Sequence, residues 1–341
     1  MPRPAPDLPP QKTQRPSREA ELAPGKVEWT PQQKDAPPGL SFGRLAWRRF
    51  RCDRLAVAGA LFIILLIALA TAAPLVVTHL THHPPYQQHM MDTIRLDGQQ
   101  IEVVDDDGLP VGPNRVFLLG ADLTGRDVLS RIIYGARVSL LVAILATGVS
   151  LLIGLIWGTV AAFYGGIVDA FLSRIMELMM AFPILLLAIA LASAMQSSSL
   201  TVVILIIGFV NWTYVGRIVR GQVLSLRQRE FVEAARALGA GDGHIMFRVI
   251  LPNLMAPLIV YGTLAVAGNI LFETALSFLG LGVQPPTPSW GNMIREGMAY
   301  YNVAWWITGF PGLFILLTVL AFNLMGDGLR DALDPHTISR K

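Results

Sequence analysis

Residues 229–239 read REFVEAARALG, inside a polar stretch, residues 217–252, that separates two strongly apolar stretches. A connector between two membrane spans needs little structure, whereas this one is rich in helix-forming residues and is interrupted once, at a glycine cluster. The stretch therefore predicts two helices joined by a turn outside the bilayer. Such a unit presents an amphipathic surface, on which we expect another protein to dock.

The first of these helices has apolar residues at helical spacing, namely Phe231, Ala234, Ala235 and Leu238. Gly239 is placed to end it in the left-handed conformation, because glycine has no Cβ. Asp242 is placed to cap the second helix, which leads to Leu251 and Pro252.

Composition places the chain among polytopic membrane proteins. Of its 341 residues, 53% are hydrophobic and 15% are charged, and the mean hydropathy is +0.50. A helix needs about 20 apolar residues to cross the hydrocarbon layer. The sequence predicts an all-α protein with six spans, at residues 55–77, 138–164, 171–195, 200–219, 256–281 and 304–325.

The distribution of arginine predicts the orientation. Five arginines against one aspartate precede the first span, and residues 217–248 hold six arginines against three acidic residues. Residues 92–127, between the first two spans, hold eight acidic residues and belong outside. Both termini and the 217–252 loop are therefore expected in the cytoplasm. Because these arginines cluster at membrane edges, we expect no nucleic-acid partner.

Five regions are expected along the chain. Residues 1–41, with ten prolines, predict a disordered cytoplasmic tail. Residues 42–77 hold a juxtamembrane segment and the first span, residues 78–135 an outer segment, residues 136–330 a five-helix core, and residues 331–341 a cytoplasmic tail. In the outer segment, residues 94–104 read as a hairpin around Asp97-Gly98.

The end of the outer segment predicts an amphipathic helix that leads into the second span. Thr124 and Asp127 have the spacing of a capping box. We expect the apolar face of this helix, Val128, Leu129, Ile132 and Ile133, to lie on the membrane surface or on a partner. Further along, Gly154 and Gly158 predict close helix packing within this chain.

No residue pattern supports catalysis. The sequence has no phosphate-binding loop of the Gly-x-x-x-x-Gly-Lys-Ser/Thr type, so the chain is not expected to hydrolyse ATP. Four histidines between His79 and His89 read as a polar loop, and we expect no metal site. Glu273 is the main ionisable residue deep in a span, with Asn269 on the same helical face and Asn211 in another span. We expect these to line a pathway, with a structural role as the alternative.

The loop resembles the EAA loop of binding-protein-dependent ABC importer permeases. That pattern is Glu-Ala-Ala, three residues, Gly, nine residues, Ile, one residue, Leu-Pro. This chain has Glu233-Ala234-Ala235, Gly239 and Leu251-Pro252, with Val249 at the Ile position. Four further segments are similar to the C-type permease subunit of dipeptide/oligopeptide/nickel importers: residues 123–137, 276–282, 285–291 and 323–331.

The resemblance implies the fold of a type I ABC importer permease in the bacterial inner membrane. It implies partners as well: a sister permease, two ATPases that bind ATP and Mg, an external solute-binding protein, a peptide substrate and the membrane lipid. Coupling to the ATPases is then expected at Glu233, Ala234, Ala235, Gly239, Asp242, Leu251 and Pro252. Contact with the binding protein, or a role in structuring the outer gate, is expected at Arg126, Asp127, Pro285 and Trp290, with a structural cap as a further alternative for Arg126 and Asp127.

Two alternatives stay open at this point. The same machinery could import nickel, glutathione or another small solute. A different class, an ion-driven carrier or a polytopic membrane enzyme, would require clustered His or acidic residues at membrane depth, where the sequence has essentially Glu273 alone.

Overall fold

A computed structural model describes residues 42–96, 98–195 and 199–334. The predicted tail at residues 1–41, the end of the C-terminal tail and the turn residue Asp97 lie outside these ranges. The elements are α1 (Phe42–Cys52), α2 (Arg54–Thr71), α3 (Ala73–Val76), β1 (Thr93–Leu96), β2 (Gln99–Glu102), α4 (Val128–Tyr164), α5 (Gly166–Ala181), α6 (Ile184–Met195), α7 (Leu200–Arg227), α8 (Glu230–Ala237), α9 (Asp242–His244), α10 (Leu251–Phe278), α11 (Trp290–Gly297) and α12 (Trp306–Leu333). The π-helical turns Val77–Thr81 and Ile245–Ile250 follow α3 and α9, and the 3₁₀ turn Met298–Tyr300 follows α11.

Five stretches of helix are long and apolar enough to cross a membrane, and a sixth pass is formed by α5 and α6, which meet at an angle of 87°. The bend lies at Phe182, whose extended backbone (φ −85°, ψ 139°) is the conformation that the following Pro183 favours. Asp169 on α5 pairs with Arg220 near the end of α7, while Ala188 on α6 packs with Val203 near the start of α7. The bent pair therefore runs the length of α7, and the six predicted spans are confirmed.

The second span is longer than predicted. α4 is one continuous helix of 37 residues, and its first turns lie in the protein core. Val128 and Ile132 have no exposed surface and pack with Met293 and Trp306 in one buried apolar cluster. The prediction of a separate amphipathic helix lying on the membrane surface or on a partner is therefore wrong, because α11 and the start of α12 fold back over this face.

The start of α4 also differs from the predicted capping box. Asp127, not Thr124, is the N-cap, and its carboxylate accepts a hydrogen bond from the backbone N–H of Ser130 at 2.8 Å. The Thr124 hydroxyl instead donates to Asp122 at 2.8 Å. The helix therefore begins three residues later than the spacing predicted.

The outer segment contains the predicted hairpin. β1 and β2 are antiparallel, and Thr93 pairs with Glu102 and Leu96 with Gln99. On the same side of the bundle, α11 lies between α10 and α12 and packs on both through Trp290 and Met293.

Glycines allow α4 and α7 to approach closely. A Cβ on Gly154 would lie 2.8 Å from the backbone nitrogen of Gly216, and one on Gly158 would lie 2.9 Å from the Cβ of Val219. In a bilayer, helix association depends on such packing because lipid tails are as apolar as the side chains. The predicted packing role of these glycines within the chain is confirmed.

We predict that Gly158→Ala destabilises the chain by about 1–3 kcal/mol, because its Cβ overpacks the α4–α7 contact. Gly148→Ala, on the same helix, is the matched control, since nothing lies within 4 Å of its added Cβ. Thermal unfolding of the detergent-solubilised chain should show a lower Tm for Gly158→Ala only. Equal Tm values for the two variants would contradict this packing.

Candidate coupling site

α8 is a short helix with charges placed to suit its dipole. Glu230 and Glu233 lie in its first turn and Arg236 in its last, where they interact favourably with the positive and negative ends. Arg229 at the N-cap position has an extended backbone and makes no side-chain cap. The stability of α8 therefore depends on its packing contacts and on its C-terminal turn.

That turn is formed by Gly239, at φ +82°. Its N–H donates to the Arg236 carbonyl at 2.9 Å, and the N–H of Ala240 donates to the Ala235 carbonyl at 3.0 Å. These two bonds are the Schellman arrangement, in which glycine avoids the strain of a Cβ at positive φ. The turn predicted at Gly239 is confirmed.

After the turn, the chain forms one helical rod from α9 through the π-helical turn to the end of α10, Asp242 to Phe278. Asp242 is its first residue, and the N-cap is Gly241 without a side-chain hydrogen bond, so the predicted cap by Asp242 is wrong. Leu251 begins α10 directly after the π-helical turn, and Pro252 follows it. Because proline has no N–H, the rod lacks one backbone hydrogen bond at this point.

Buried aliphatic side chains fix α8 to this rod. Val232, Ile245 and Ile250 each have at most 1% of their surface exposed and share one apolar cluster with Val219 and Val223 of α7. The two helices and the end of α7 therefore form one packed unit. Ile250, beside Val249, provides the fully buried anchor of the motif.

The remaining surface of α8 faces away from the bundle. Leu238 is 89% exposed and Phe231 is 43% exposed, and Glu233 and Ala234 are exposed beside them. Ala235 is half-buried. The part of the chain that the structure describes thus presents two large apolar side chains and a carboxylate on a rigid support, without covering them.

Glu273 lies in a buried polar cluster on the outer half of α10. Its carboxylate accepts hydrogen bonds from Ser277 at 2.7 Å and from Ser139 of α4 at 3.1 Å. The N–H of Trp290 donates to the same Ser139 hydroxyl at 3.4 Å. Glu273 has no exposed surface.

One turn below, Asn269 joins three helices. Its Nδ2 donates to Thr147 of α4 at 2.7 Å, and its Oδ1 accepts from Asn211 of α7 at 2.9 Å. Asn269, Glu273 and Ser277 thus form one stripe along α10. The structure encloses Asn269 and Glu273 within the chain, and the pathway-lining role of the three predicted residues stays a prediction.

On the outer side, the residues predicted to contact a binding protein separate into two groups. Trp290 has no exposed surface, and its indole N–H donates to the Ile132 carbonyl at 3.1 Å, which contradicts a direct contact with an external protein. Asp127 is 1% exposed and caps α4, which is the structural alternative. Burial raises the pKa of Asp127 despite the hydrogen bonds from Ser130. Pro285 is exposed, and its contact stays a prediction.

Arg126 belongs to an ion network that sequence reasoning missed. It bonds Asp122 at 2.7 Å and Glu296 of α11 at 2.9 Å, and Arg131 of α4 pairs with the same two carboxylates. Asp122 and Arg131 are each 1% exposed. A cavity of about 330 Å³ lies beside the network and is also lined by Pro285.

The network makes the stability of the outer side depend on the ionisation of Asp122. Burial opposes its charge, but the guanidinium groups of Arg131 and Arg126 outweigh burial and lower its pKa. The stabilisation is therefore present above the unfolded-state pKa and is lost as pH falls through the lower, folded-state value. Among the described residues, no group of three or more His, Cys, Asp or Glu side chains is arranged to hold a metal ion.

We predict that Arg131→Gln destabilises the chain by about 3–5 kcal/mol, because it leaves the buried Asp122 with one fewer guanidinium partner. Arg137→Gln is the matched control, since Arg137 is an exposed arginine on the same helix. Thermal unfolding in detergent should separate the two variants clearly. A Tm for Arg131→Gln equal to that of Arg137→Gln would rule out a stabilising network.

Two protein families match this sequence. The family described as binding-protein-dependent transport system inner membrane component matches residues 150–339. The N-terminal TM domain of oligopeptide transport permease C matches residues 41–97. Together the two matches include α8, its turn and all of the predicted spans except the start of α4.

Curated relatives cover most of the chain. The di/tripeptide transport system permease protein DppC of Pseudomonas aeruginosa is 42% identical over 289 residues, 85% of this chain and 90% of the relative. The dipeptide transport system permease protein DppC of Alkalihalophilus pseudofirmus is 40% identical over 311 residues, 90% of this chain and 95% of the relative. The glutathione transport system permease protein GsiD of Pectobacterium atrosepticum is 41% identical over 289 residues, 85% of this chain and 89% of the relative. With six passes, an exposed EAA loop and these matches, the chain belongs to the inner membrane permease components of binding-protein-dependent ABC importers.

Proposed function

We propose that this chain is a permease subunit that imports short peptides and is driven by ATP hydrolysis on partner subunits. The observation that carries the proposal is the exposed apolar face of α8, held by Val232 on a helical rod that enters the membrane. A face of this kind on a rigid support fits a groove on a second protein. The chain itself has no phosphate-binding loop, and we propose no enzymatic activity for it.

The proposed docking partners are two cytoplasmic ATPases, which bind ATP and Mg, one of them receiving the loop of this chain. Phe231 and Leu238 supply apolar contact area, and Ala234 lets the backbone of the partner approach closely. Glu233 is exposed between them and is free to pair with a basic group. Gly239 sets the angle between α8 and the rod, and Leu251 and Pro252 lie where the rod continues into α10.

Movement of the docked loop reaches the membrane through α10. Because α9, the π-helical turn and α10 are continuous, a displacement of α8 by closure of the ATPase dimer shifts the rod as a body. The polar stripe at Asn269 and Glu273 joins the rod to α4 and α7. A sister permease completes the pathway.

The outer side is the proposed docking face for a solute-binding protein. Pro285 is exposed at the rim of the cavity beside Arg126, so contact there would act on α11 and α4 together. The distribution of arginine and the even number of passes support cytoplasmic positions for both termini and for α8.

Short peptides are the proposed cargo because two of the relatives are named for dipeptide or di/tripeptide transport. Glutathione, for which a third relative is named, is itself peptide-like. The nickel alternative has no support from a set of metal ligands among the described residues.

The direct test is reconstitution of this chain in liposomes with its candidate sister permease, ATPases and binding protein. We expect dipeptide- or tripeptide-loaded binding protein to stimulate ATP hydrolysis and peptide uptake, and glutathione and Ni²⁺ are run as separate arms. Stimulation by Ni²⁺ alone would overturn the peptide assignment. Uptake driven by an ion gradient in liposomes without ATPases would overturn the function as a whole.

We predict that Leu238→Asp lowers ATPase association and stimulated ATP hydrolysis by about tenfold or more, because it places a charge at the centre of an apolar docking face. Met91→Asp is the matched control, because Met91 is 94% exposed, close to the 89% of Leu238, but lies on the outer segment. Co-purification of the ATPases measures association. If the two variants retain the same amount of ATPase, α8 is not the docking element.

A further inference from the structure

α1 has an arginine face that the permease function does not use. Arg44, Arg48 and Arg51 follow one another at spacings of four and three residues, which places them within an arc of roughly 60° on a helix. All three are exposed, as is Arg54 at the start of α2. Four guanidinium groups therefore lie together at one end of the first span.

These arginines have no carboxylate partner among the residues that the structure describes. Asp53 is the one acidic residue between positions 42 and 55, and its Oδ1 accepts hydrogen bonds from the backbone N–H groups of Leu55 at 2.9 Å and Ala56 at 3.2 Å. It is therefore engaged as the cap of α2. The described part of the chain therefore provides no carboxylate for the positive charge of α1.

α1 packs against the helix bundle. Phe50 is 7% exposed and packs with Ala56 of α2 and Ala332 near the end of α12. Arg49 donates from Nη1 to the Asp334 carbonyl at 3.3 Å. Because α2 enters the apolar span directly after α1, these contacts hold α1 at the level where the bilayer surface meets the protein.

Next to the arginine face lie apolar side chains that the described part of the chain does not cover. Trp47 is 62% exposed and stacks on Phe50 with ring centroids 6.0 Å apart, and Leu55 is 65% exposed. Tryptophan at the end of a span typically lies at the interface between headgroups and acyl chains. A basic face beside an exposed Trp is the arrangement of helices that lie in the interface of anionic membranes.

We propose that α1 is a binding surface for anionic phospholipid headgroups, with Arg44, Arg48, Arg51 and Arg54 contacting the phosphates and Trp47 inserted between lipids. Guanidinium suits this role because its planar set of N–H donors matches phosphate oxygens in pairs. Bound lipid would hold the end of α12 through Phe50, and so would hold the base of the bundle on the membrane surface.

The only cysteine of the chain provides the probe. Cys52 is exposed at the end of α1 and accepts a fluorophore without any added mutation. The labelled full-length chain is placed in nanodiscs that contain phosphatidylglycerol with a spin label on its headgroup. In the comparison arm, phosphatidylcholine carries the spin label, at the same mole fraction. We expect phosphatidylglycerol to quench the fluorophore at least about twofold more strongly, and the difference to shrink at high salt.

The double variant Arg44→Gln/Arg48→Gln should reduce the difference in quenching between the two lipids by about half, because it removes two of the four phosphate contacts, while Arg49, Arg51 and Arg54 still maintain the orientation of the span. Arg95→Gln/Arg115→Gln is the matched control, because it removes two exposed arginines from the outer segment and should leave the difference intact. Equal quenching by the two lipids in the unmodified chain, as expected if protein covers this face, would overturn the proposal. So would a difference that is insensitive to both salt and the double variant.

Discussion

Glu273 lies at membrane depth with no exposed surface, and its two oxygens accept hydrogen bonds from Ser139 of α4 and Ser277 of α10. A carboxylate at this depth must be satisfied by the protein, because the hydrocarbon layer supplies no water to replace a lost partner. Because Glu273 needs the hydrogen bond from Ser139, it constrains the position of α4 against α10. Through Ser139, which also accepts from the N–H of Trp290, it further constrains the start of α11.

The outer ion network also joins α4 to α11, near the C-terminus of α11. Arg131 of α4 and Glu296 of α11 are joined directly and through Arg126 and Asp122. α11 is thus held at both ends, by Glu273 and Ser139 near its N-terminus and by charge near its C-terminus. At the opposite end of the described bundle, α8 is held on the same α10 rod by apolar burial. Polar contacts set the register of the outer half, and apolar packing makes the docking loop rigid.

The sequence was sufficient for several features that depend on local chemistry. The six spans follow from apolar length, the turn at Gly239 from the freedom of glycine at positive φ, and the hairpin from Asp97-Gly98 between alternating residues. It was insufficient where the outcome depends on distant contacts. Val128 and Ile132 have the pattern of a surface helix, and only the return of α11 and α12 buries them. Arg131 and Glu296 are 165 residues apart, so no local pattern could pair them.

Two site residues were misjudged for a related reason. Trp290 was expected to face outside, but it is enclosed with Ile132 and Ser139. Asp242 has the residue type of a cap, but Gly241 occupies the N-cap position. Residue type predicts what a side chain can do, whereas the neighbours decide whether it does so. Glu273 is the clearest case, because a carboxylate in a span is consistent both with lining a pathway and with a structural role. The serines that enclose it support the structural role.

If Glu273 fastens α11 to the rod that carries α8, movement of the docked loop must change the outer face through Glu273. The direct measurement uses Cys52→Ser with a single cysteine at Met298, which is 51% exposed just after α11, in the assembled transporter. The labelling rate with a membrane-impermeant maleimide is compared with and without a non-hydrolysable ATP analogue. The account predicts that the analogue changes this rate when Glu273 is present, and that Glu273→Ala abolishes the change while ATPase association is retained. An undiminished response in Glu273→Ala would contradict it.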